Sequence, residues 1–442
     1  MESKQRAGSQ EANGPARLTP AEASRLAATE LDAALASSPA VALEGPPGSG
    51  KARLATARAR TVLRLDDPAQ RELVAADPTL LVTGERPIAL VQWHHHPTSR
   101  DVVRLAARHD PRPRQLLLTG ARIGADAGTE IARVPVRPLA LAERRPDLVV
   151  VSLARLLSGA RDDPPTGQAS ATSPLALPDY ADEVTRSGLP PVREAADASA
   201  RATALEALLT RVLREELPAL GDHVRKPAVV RRWLRAVAAA SATGAAREQV
   251  LAAAAGAGRR PTRASIQPHR QALEWLGVVD PLPAWQPEPG TLPRLARSPA
   301  HHLADPALAA HLLDADATAL LQGRRAEPPA PTDRALLGLL VTSLVVQSVR
   351  VCARAVGART FHVRQHSGRR AIPLLVEGDD GRVVGLTVAL GQVADEQAAD
   401  DLRWLGARLG ARVADLVVVT TGGSAYRRRD GVAVVPAALL GP

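Results

Sequence analysis

Sulfur-containing and lysine side chains are scarce in this sequence, and so are long apolar runs. The 442 residues include one cysteine, Cys352, so no disulfide forms within the chain, which favours a reducing cytoplasm. The first residues lack the apolar core of a secretory signal, and residues 1–17 are expected to form a disordered tail. The longest uncharged apolar stretch, residues 335–349, is shorter than the roughly 20 residues that span a bilayer. We therefore expect a buried helix there and no membrane partner.

Charge is carried almost entirely by arginine on the basic side. Lysine occurs only at Lys4, Lys51 and Lys226, so a lysine inside a recognisable loop is not expected by chance. The net charge of +10 and the pI near 10.9 indicate an acidic partner such as nucleic acid. The same arginine-rich composition also follows from a GC-rich coding bias, so the charge alone does not establish a nucleic-acid partner.

Residues 45–52 read GPPGSGKA, a phosphate-binding P-loop that is complete through its lysine. An apolar run at 41–44 precedes it and strong helix formers follow at 52–59, which predicts a strand, a loop and a helix. The glycines allow backbone N–H groups to point inward, and the lysine adds a charge for the β and γ phosphates. An ordinary glycine-rich turn without a ligand is the alternative. The predicted nucleotide-binding residues are Gly45, Pro46, Pro47, Gly48, Ser49, Gly50, Lys51 and Ala52.

The pattern along the chain predicts three structured regions. Apolar runs at 41–44, 61–65, 87–92, 115–119 and 131–136 alternate with helical segments, which is typical of a parallel α/β sheet. A loop at 159–178 is followed by a helical region, in which helices at 228–241, 245–255 and 261–276 suit a winged helix-turn-helix. Long helices at 306–321 and 334–356 and strands at 361–364, 372–377, 383–390 and 416–420, with a helix at 396–409, form a small α/β domain.

Basic residues gather near the third of the middle helices, where DNA would be met: Arg259, Arg260, Arg263, His269 and Arg270. No aromatic or amide base readers accompany them. A solvated arginine face on a helical lid is therefore the preferred interpretation, and nucleic-acid binding stays open as the alternative.

Several long segments resemble one family, the bacterial AAA-type ATPases with a P-loop domain, a helical and winged-helix middle and a restriction-endonuclease-like C-terminal domain. They are LEGPPGSGK at 43–51, LLLTGARIG at 116–124, VRPLALAE at 136–143, LPDYADEVTRSGLPPVR at 177–193, VRRWLRAVAAASAT at 230–243, VVDPLPAW at 278–285 and the closing YRRRDGVAVVPAALLGP. The resemblance implies a P-loop domain at 18–165, a helical lid and winged-helix-like domain at 166–290 and a nuclease-like domain at 291–442.

The resemblance also implies which catalytic groups are missing. Such ATPases bind Mg²⁺ through a hydroxyl after the P-loop lysine and an aspartate on a facing strand, and a glutamate next to that aspartate orients water. Here these positions hold Ala52, Val91 and Gln92, which bind no metal and accept no proton. Thr119 matches the polar sensor of the γ phosphate. Mg²⁺ binding is therefore in doubt, whereas ATP or ADP binding is expected.

Three other features carry a weaker expectation. A loop that supplies an arginine finger in relatives reads Gly128-Thr129-Glu130, and Glu130 would repel phosphate. His94, His95 and His96 are interpreted as a surface or partly packed turn rather than a metal site, because consecutive residues do not face one point. Arg137, within VRPLALAE, is expected to be structural.

The nuclease-like domain has lost its motif in the same way. The resemblance places Pro373 at the metal-binding aspartate and Thr387, Val388 and Ala389 at the Glu-x-Lys motif. The nearby acids Glu377, Asp379 and Asp380 belong to a predicted hairpin turn.

Together these patterns predict a P-loop protein that binds nucleotide without hydrolysing it and acts as a regulatory or scaffolding pseudoenzyme with an unidentified protein partner. An active ATPase with unusual ligands, or with a site completed by a second subunit, is one alternative. A DNA-binding regulator that uses the winged-helix-like region is the other.

Overall fold

The computed structural model of the protein describes residues 25–124, 128–160, 172–222, 224–255, 260–288, 292, 294–330, 335–391 and 396–442. It divides into two compact units, of which the first holds residues 25–45 and 50–136 and the second residues 46–49 and 137–442. The expected tail at 1–17 and much of the expected loop at 159–178 lie outside the described residues.

A parallel sheet forms the centre of the first unit. Its strands follow the order β2-β3-β4-β1-β5, and every neighbouring pair is parallel. The predicted strands are confirmed, with each end within one residue of its expected position. The strands are β1 Ala40–Glu44, β2 Thr61–Arg64, β3 Ile88–Val91, β4 Leu116–Gly120 and β5 Ile131–Pro135.

Helices of the first unit pack against this sheet. Leu31 and Leu35 of the first helix pack with Val41, Leu43 and Leu54 in one buried cluster. The central strands β1, β3 and β4 are almost entirely buried, which explains why they read as nearly continuous apolar runs. The helices are α1 Leu26–Ser37, α2 Lys51–Thr56, α3 Pro68–Ala76 and α4 Ser99–His109.

The second unit is mostly helical up to residue 355. A π-helical turn at Val212–Glu216 separates two of its helices. The helices are α5 Leu141–Arg144, α6 Leu153–Leu157, α7 Leu177–Thr185, α8 Pro190–Arg193, α9 Ala198–Arg211, α10 Leu217–Ala219, α11 Pro227–Ala239, α12 Arg247–Ala253, α13 Arg263–Trp275, α14 Pro306–Leu312, α15 Ala317–Leu321, α16 Leu336–Ala355 and α17 Glu396–Leu409.

The prediction of one long helix at 306–321 is wrong. The chain turns between α14 and α15, where Asp314 adopts a left-handed φ of 54°. Asp316 then caps α15 by accepting a hydrogen bond from the N–H of Ala319 at 2.7 Å. Aspartate tolerates the left-handed region and favours helix N-caps, so these two residues end one helix and begin the next.

α16 is the helix expected over the long apolar stretch, and it is long and apolar enough to cross a membrane. The apolar window is 78% buried inside the protein, and α16 packs against strands of the second unit. Burial of this extent is that of a core helix, as the sequence predicted.

A mixed sheet completes the second unit in the order β11-β12-β10-β9-β8-β7. β7, β8 and β9 pair antiparallel, while β9, β10 and β12 pair parallel. α17 packs on β9 and β10. The strands of this unit are β6 Val151–Ser152, β7 Arg359–Arg364, β8 Ala371–Glu377, β9 Val383–Ala389, β10 Val413–Thr420, β11 Tyr426–Arg427, β12 Ala433–Pro436 and β13 Leu440–Gly441.

Residues 137–160 group with the second unit, whereas the sequence placed a domain limit at 165. β6 pairs in parallel with β13 at the C-terminus, with Val151 opposite Leu440. Arg137 forms an ion pair with Asp280 at 2.9 Å. These long-range contacts join the segment to the helical and C-terminal parts of the second unit.

Candidate nucleotide site

The P-loop follows β1 and ends at the first residue of α2. Gly48 and Gly50 have φ angles of 81° and 89°, a left-handed conformation that glycine adopts without strain. The Ser49 N–H donates to the carbonyl oxygen of Pro46 at 3.2 Å, which closes the loop on itself. The sequence therefore places its glycines where the turn requires them.

Three backbone amides of this loop lack an acceptor in the described part of the chain, those of Gly48, Gly50 and Ala52. All three residues are half-buried, so their N–H groups are not simply exposed to bulk water. Pro46 and Pro47 have no N–H to contribute. Amides grouped at the beginning of a helix are an anion-binding arrangement.

Lys51 is the only charged side chain within the loop, and its side chain is turned back onto it. Its Nζ donates a hydrogen bond to the carbonyl oxygen of Gly45 at 2.6 Å, and the residue is 7% exposed. A phosphate group entering the loop would replace this carbonyl as the partner of the ammonium group. The lysine is thus positioned at the loop that it was predicted to serve.

The carboxyl ends of β1, β3 and β4 meet at one edge of the sheet. Thr119 lies opposite Leu43 of β1 and Val91 of β3 in the strand register. Its Oγ1 accepts a hydrogen bond from the N–H of Gln92 at 3.3 Å. The predicted sensor position and the two positions that replace the acidic pair therefore come together, although the sensing role of Thr119 stays a prediction.

Val91 is 1% exposed within β3, and Gln92 leaves the strand in a left-handed conformation with φ of 58°. An isopropyl group offers no ligand to a cation, and a carboxamide takes up no proton at neutral pH. Together with the methyl group of Ala52, these side chains supply neither a metal anchor nor a base at the positions that the resemblance assigns to them.

Glu44 is a carboxylate at this edge that the motif analysis did not consider. It ends β1, directly before the loop, and its Oε1 accepts a hydrogen bond from the N–H of Ile123 at 2.8 Å. Burial raises the pKa of this carboxyl, opposed by the Ile123 amide and by Arg133. A carboxyl group with a raised pKa beside a phosphate loop is a candidate acid or base.

The histidine turn after β3 is partly packed, as predicted. His94 is buried, and its Nδ1 accepts a hydrogen bond from the N–H of Ala121 at 3.3 Å. A Cβ on Gly120 would lie 2.5 Å from that nitrogen, so a glycine is required beside the ring. His96 contacts the hydroxyl of Thr98 through its Nδ1 at 3.2 Å. His94 and His96 thus have different local partners.

Glu130 and Arg137 occupy structural positions. The Glu130 carboxylate accepts a hydrogen bond from Arg108 at 2.5 Å, and this contact holds the pKa of Glu130 below its usual value. Arg137 and Arg350 both bind Asp280, which fits the structural role predicted for Arg137.

Of the acids predicted to form the turn between β8 and β9, Asp380 is used by the turn and Glu377 is bound by residues outside it. Asp380 accepts from the N–H of Arg382 at 3.0 Å, and Gly381 has a φ of 76°. Glu377 accepts hydrogen bonds from Trp285 at 3.2 Å and from Arg359 at 2.9 Å. The antiparallel register of β8 and β9 pairs Leu374 with Leu386. Pro373 of β8 and Thr387 of β9 therefore lie across from each other.

Comparison with known proteins adds little beyond the geometry. Residues 177–319 match the family described as "Domain of unknown function (DUF8612)", which covers less than half of the chain. Among curated proteins none matches. The Walker-type ATPase PABY2304 of Pyrococcus abyssi is similar at 15% identity over 65% of this chain and 94% of its own, with a TM-score of 0.37. A TM-score this low does not establish a common fold, so the P-loop assignment depends on the strand order and the loop geometry.

Proposed function

We propose that the P-loop binds the polyphosphate of ATP or ADP and retains it without hydrolysis, so that the protein acts as a nucleotide-dependent regulator or scaffold. The observation that carries this proposal is the set of three amides, at Gly48, Gly50 and Ala52, without an acceptor among the described residues and close to the ammonium group of Lys51. Amide donors and a lysine are the groups with which such loops bind β and γ phosphates.

Binding is expected to be weak. The hydrogen bond from Lys51 to the Gly45 carbonyl must break before the ammonium group meets a phosphate oxygen. A charge-assisted contact to phosphate is stronger than one to a neutral carbonyl, so the exchange is favourable but smaller than for an unengaged lysine.

Binding is also expected to depend little on Mg²⁺. Ala52 and Val91 offer no oxygen to the ion or to its water shell, so only the phosphates themselves would hold it. Gln92 cannot accept a proton from an attacking water molecule. Nucleotide retention without turnover follows from these three side chains.

Titration with a fluorescent ADP analogue tests the proposal. Lys51→Ala should weaken binding at least about tenfold, because a charge-assisted contact contributes about 1.5–3 kcal/mol. Lys226→Ala is the matched control, since Lys226 is exposed and precedes α11 rather than the P-loop helix. Equal affinity of the wild type and Lys51→Ala, or no binding by either, would contradict the proposal.

Nucleic-acid binding through the winged-helix-like region is the second candidate. α13 is followed by antiparallel bridges between Val279 and Leu303 and between Leu282 and Ala300, which supports a small wing. The pKa of Arg247 is lowered, first by the charge of Arg270 and then by burial and by Arg263. A cluster of like charges with this effect favours an anionic partner.

Other basic residues expected in this region have local partners. Arg260 binds Glu248, His269 binds Asp222 at 2.7 Å, and Arg270 binds Glu274 at 3.2 Å, while Arg259 lies outside the described residues. If duplex DNA binds here, Arg263→Ala should weaken it and reduce its salt dependence by about one unit of slope, whereas Arg260→Ala should change little. Equal effects of the two substitutions would count against this candidate.

A further inference from the structure

A cavity of about 640 Å³ lies over β8 and β9, where the nuclease motif is missing. Pro373, Thr387 and Val388, three of the positions that replace the motif, line it. The other lining residues come from β7, β8, α16 and α17, and from the segments between α11 and α12, between α13 and α14, and between β7 and β8.

Two arginines on the wall of this cavity, Arg364 and Arg369, have no ion pair within the described residues. Neighbouring arginines differ. Arg370 binds Asp400 and Asp401, each at 2.8 Å. Arg427 binds Asp415, and Arg428 binds Glu396 and Asp430.

Buried polar atoms without a partner lie on the same wall. Thr387 is 4% exposed, and its Oγ1 has no hydrogen-bond partner in the described structure. The Nε of Arg364 is buried and also lacks an acceptor there. An unsatisfied buried donor destabilises a fold by about as much as a lost hydrogen bond, so both atoms favour a ligand that accepts from them.

Gly244 lies in close contact with the side chain of Arg364. A Cβ at Gly244 would lie 2.5 Å from the guanidinium carbon of Arg364 and 2.7 Å from its Nε. The guanidinium group therefore lies directly against the backbone of this glycine, which itself lines the cavity. The absence of a side chain at Gly244 leaves room for the guanidinium group of Arg364.

The remaining ionisable groups of the wall do not oppose an anion. Asp401 is neutralised by Arg370 and also accepts from the N–H of Ala371 at 3.3 Å. Burial lowers the pKa of His302 to about 3 and that of His362 to about 4, so both rings are neutral at pH 7. The wall thus presents fixed positive charge, a hydroxyl group and no unpaired carboxylate.

We propose that this cavity is a metal-independent binding site for a phosphomonoester of nucleotide size, held by Arg364, Arg369 and Thr387. Guanidinium groups bind phosphate oxygens through paired N–H donors, and a threonine hydroxyl adds a third contact. A volume of about 640 Å³ is within the range of small-molecule sites. An extended nucleic-acid contact is disfavoured because the surrounding arginines are bound to acids.

The test is a calorimetric titration of the full chain with 5′-AMP in EDTA. The chain carries Lys51→Ala, so that the P-loop does not contribute to binding. Binding of 5′-AMP but not of adenosine is expected. Arg364→Ala should weaken it roughly ten- to hundredfold, and Gly244→Ala should weaken it less, because the flexible guanidinium group shifts away from the added Cβ. Arg429→Ala is the matched control, because Arg429 is exposed, has no ion pair in the described chain and is not among the lining residues.

Three results would overturn the site. They are no 5′-AMP binding in the Lys51→Ala protein, equal affinity in all variants, and displacement of 5′-AMP by a short DNA duplex that binds more tightly and depends on Arg364. The last result would assign the cavity to nucleic acid. Thr387→Val provides a second readout if an arginine variant is poorly folded, and it should weaken binding about threefold or more. The outcome is independent of the proposed function at the P-loop, which Lys51→Ala removes beforehand.

Discussion

The P-loop and the cavity over β8 and β9 have both lost the metal ligands that the family resemblance implies, but they retain different groups. The P-loop retains backbone amides and one lysine, and that lysine is bound to the Gly45 carbonyl at 2.6 Å. The cavity retains side chains, two arginines without ion pairs among the described residues. Without the metal ligands that the resemblance implies, the P-loop offers backbone donors and one lysine, and the cavity offers arginine side chains.

The difference has a structural cause. Backbone amides are placed by the loop conformation, which Gly48 and Gly50 fix with φ angles of 81° and 89°, so replacing Ala52 or Val91 does not remove them. The metal site of a nuclease depends on carboxylates, and Pro373, Thr387 and Ala389 leave none of these. Anion binding in the cavity must come from other side chains, such as Arg364.

The largest expected effect concerns ATP hydrolysis at the P-loop. We expect no turnover with Mg²⁺ above that of buffer, because Gln92 is no base and Ala52 and Val91 anchor no metal. The triple variant Ala52→Thr, Val91→Asp, Gln92→Glu should raise turnover by about tenfold or more if the fold tolerates an acid at the buried position 91. Phosphate release measured over hours, with the thermal unfolding midpoint of each variant, checks this expectation.

Robust hydrolysis by the wild type that is lost in Lys51→Ala would contradict the non-hydrolysing account. Glu44→Gln then identifies the base, since Glu44 is a half-buried carboxyl with a raised pKa at the end of β1. Loss of turnover in this variant with unchanged nucleotide affinity would assign the base to Glu44.

Nuclease activity is the corresponding test of the second region. The full chain should not nick plasmid DNA with Mg²⁺ or Mn²⁺, because the aligned positions offer no metal-binding carboxylate. Agarose electrophoresis over a range of protein concentrations measures this directly. Nicking that EDTA abolishes would contradict the claim that this region has no metal site.

Acid sensitivity is expected around the cavity and not around the P-loop. His302 and His362 stay neutral in the folded protein, with pKa values of about 3 and 4, but take up a proton near pH 6.5 when unfolded. Their contribution to stability is intact above pH 6.5 and is lost as the pH falls below it, by about 2 kcal/mol for each histidine at pH 5.

Urea unfolding at pH 7 and pH 5 measures this loss. His362→Gln keeps a donor for the carbonyl of Ser298, which His362 contacts at 3.0 Å, and should reduce the loss by about 2 kcal/mol. His109→Gln is the control, because His109 is exposed at the end of α4. An unchanged pH dependence in His362→Gln would rule out this source of acid sensitivity.

The smallest expected effect concerns Thr119. Its hydroxyl accepts from the N–H of Gln92 at 3.3 Å, so a γ phosphate would compete for a group that already has one partner. Thr119→Val should weaken ATP binding by only about threefold and leave ADP binding unchanged. Parallel titrations of both nucleotides measure the difference, and a larger loss for ADP than for ATP would exclude γ-phosphate sensing.

Much of the sheet of the first unit follows from the sequence, because buried parallel strands read as uninterrupted apolar runs such as 116–119. The P-loop residues also follow from the sequence, since the glycines and Lys51 form a contiguous motif. The break at Asp314 was missed because it depends on a single left-handed residue within a pattern that is otherwise helical.

Long-range contacts were beyond sequence reasoning. Glu44 meets the amide of Ile123, which is 79 residues further along the chain, and no local signal marks this contact. Gly244 and Arg364 come together in the same way, from the loop between α11 and α12 and from a strand. The pairing of β6 with β13 moves residues 137–160 into the second unit for the same reason.

The most direct test of the central claim is a calorimetric titration with ATP of the Arg364→Ala protein and of the double variant Lys51→Ala, Arg364→Ala, each in EDTA and in excess Mg²⁺. In the Arg364→Ala background, which removes the proposed cavity site, we predict weak binding that differs less than about threefold between the two conditions and is lost with Lys51→Ala. Binding that requires Mg²⁺, or binding that survives the loss of Lys51, would contradict a metal-independent P-loop.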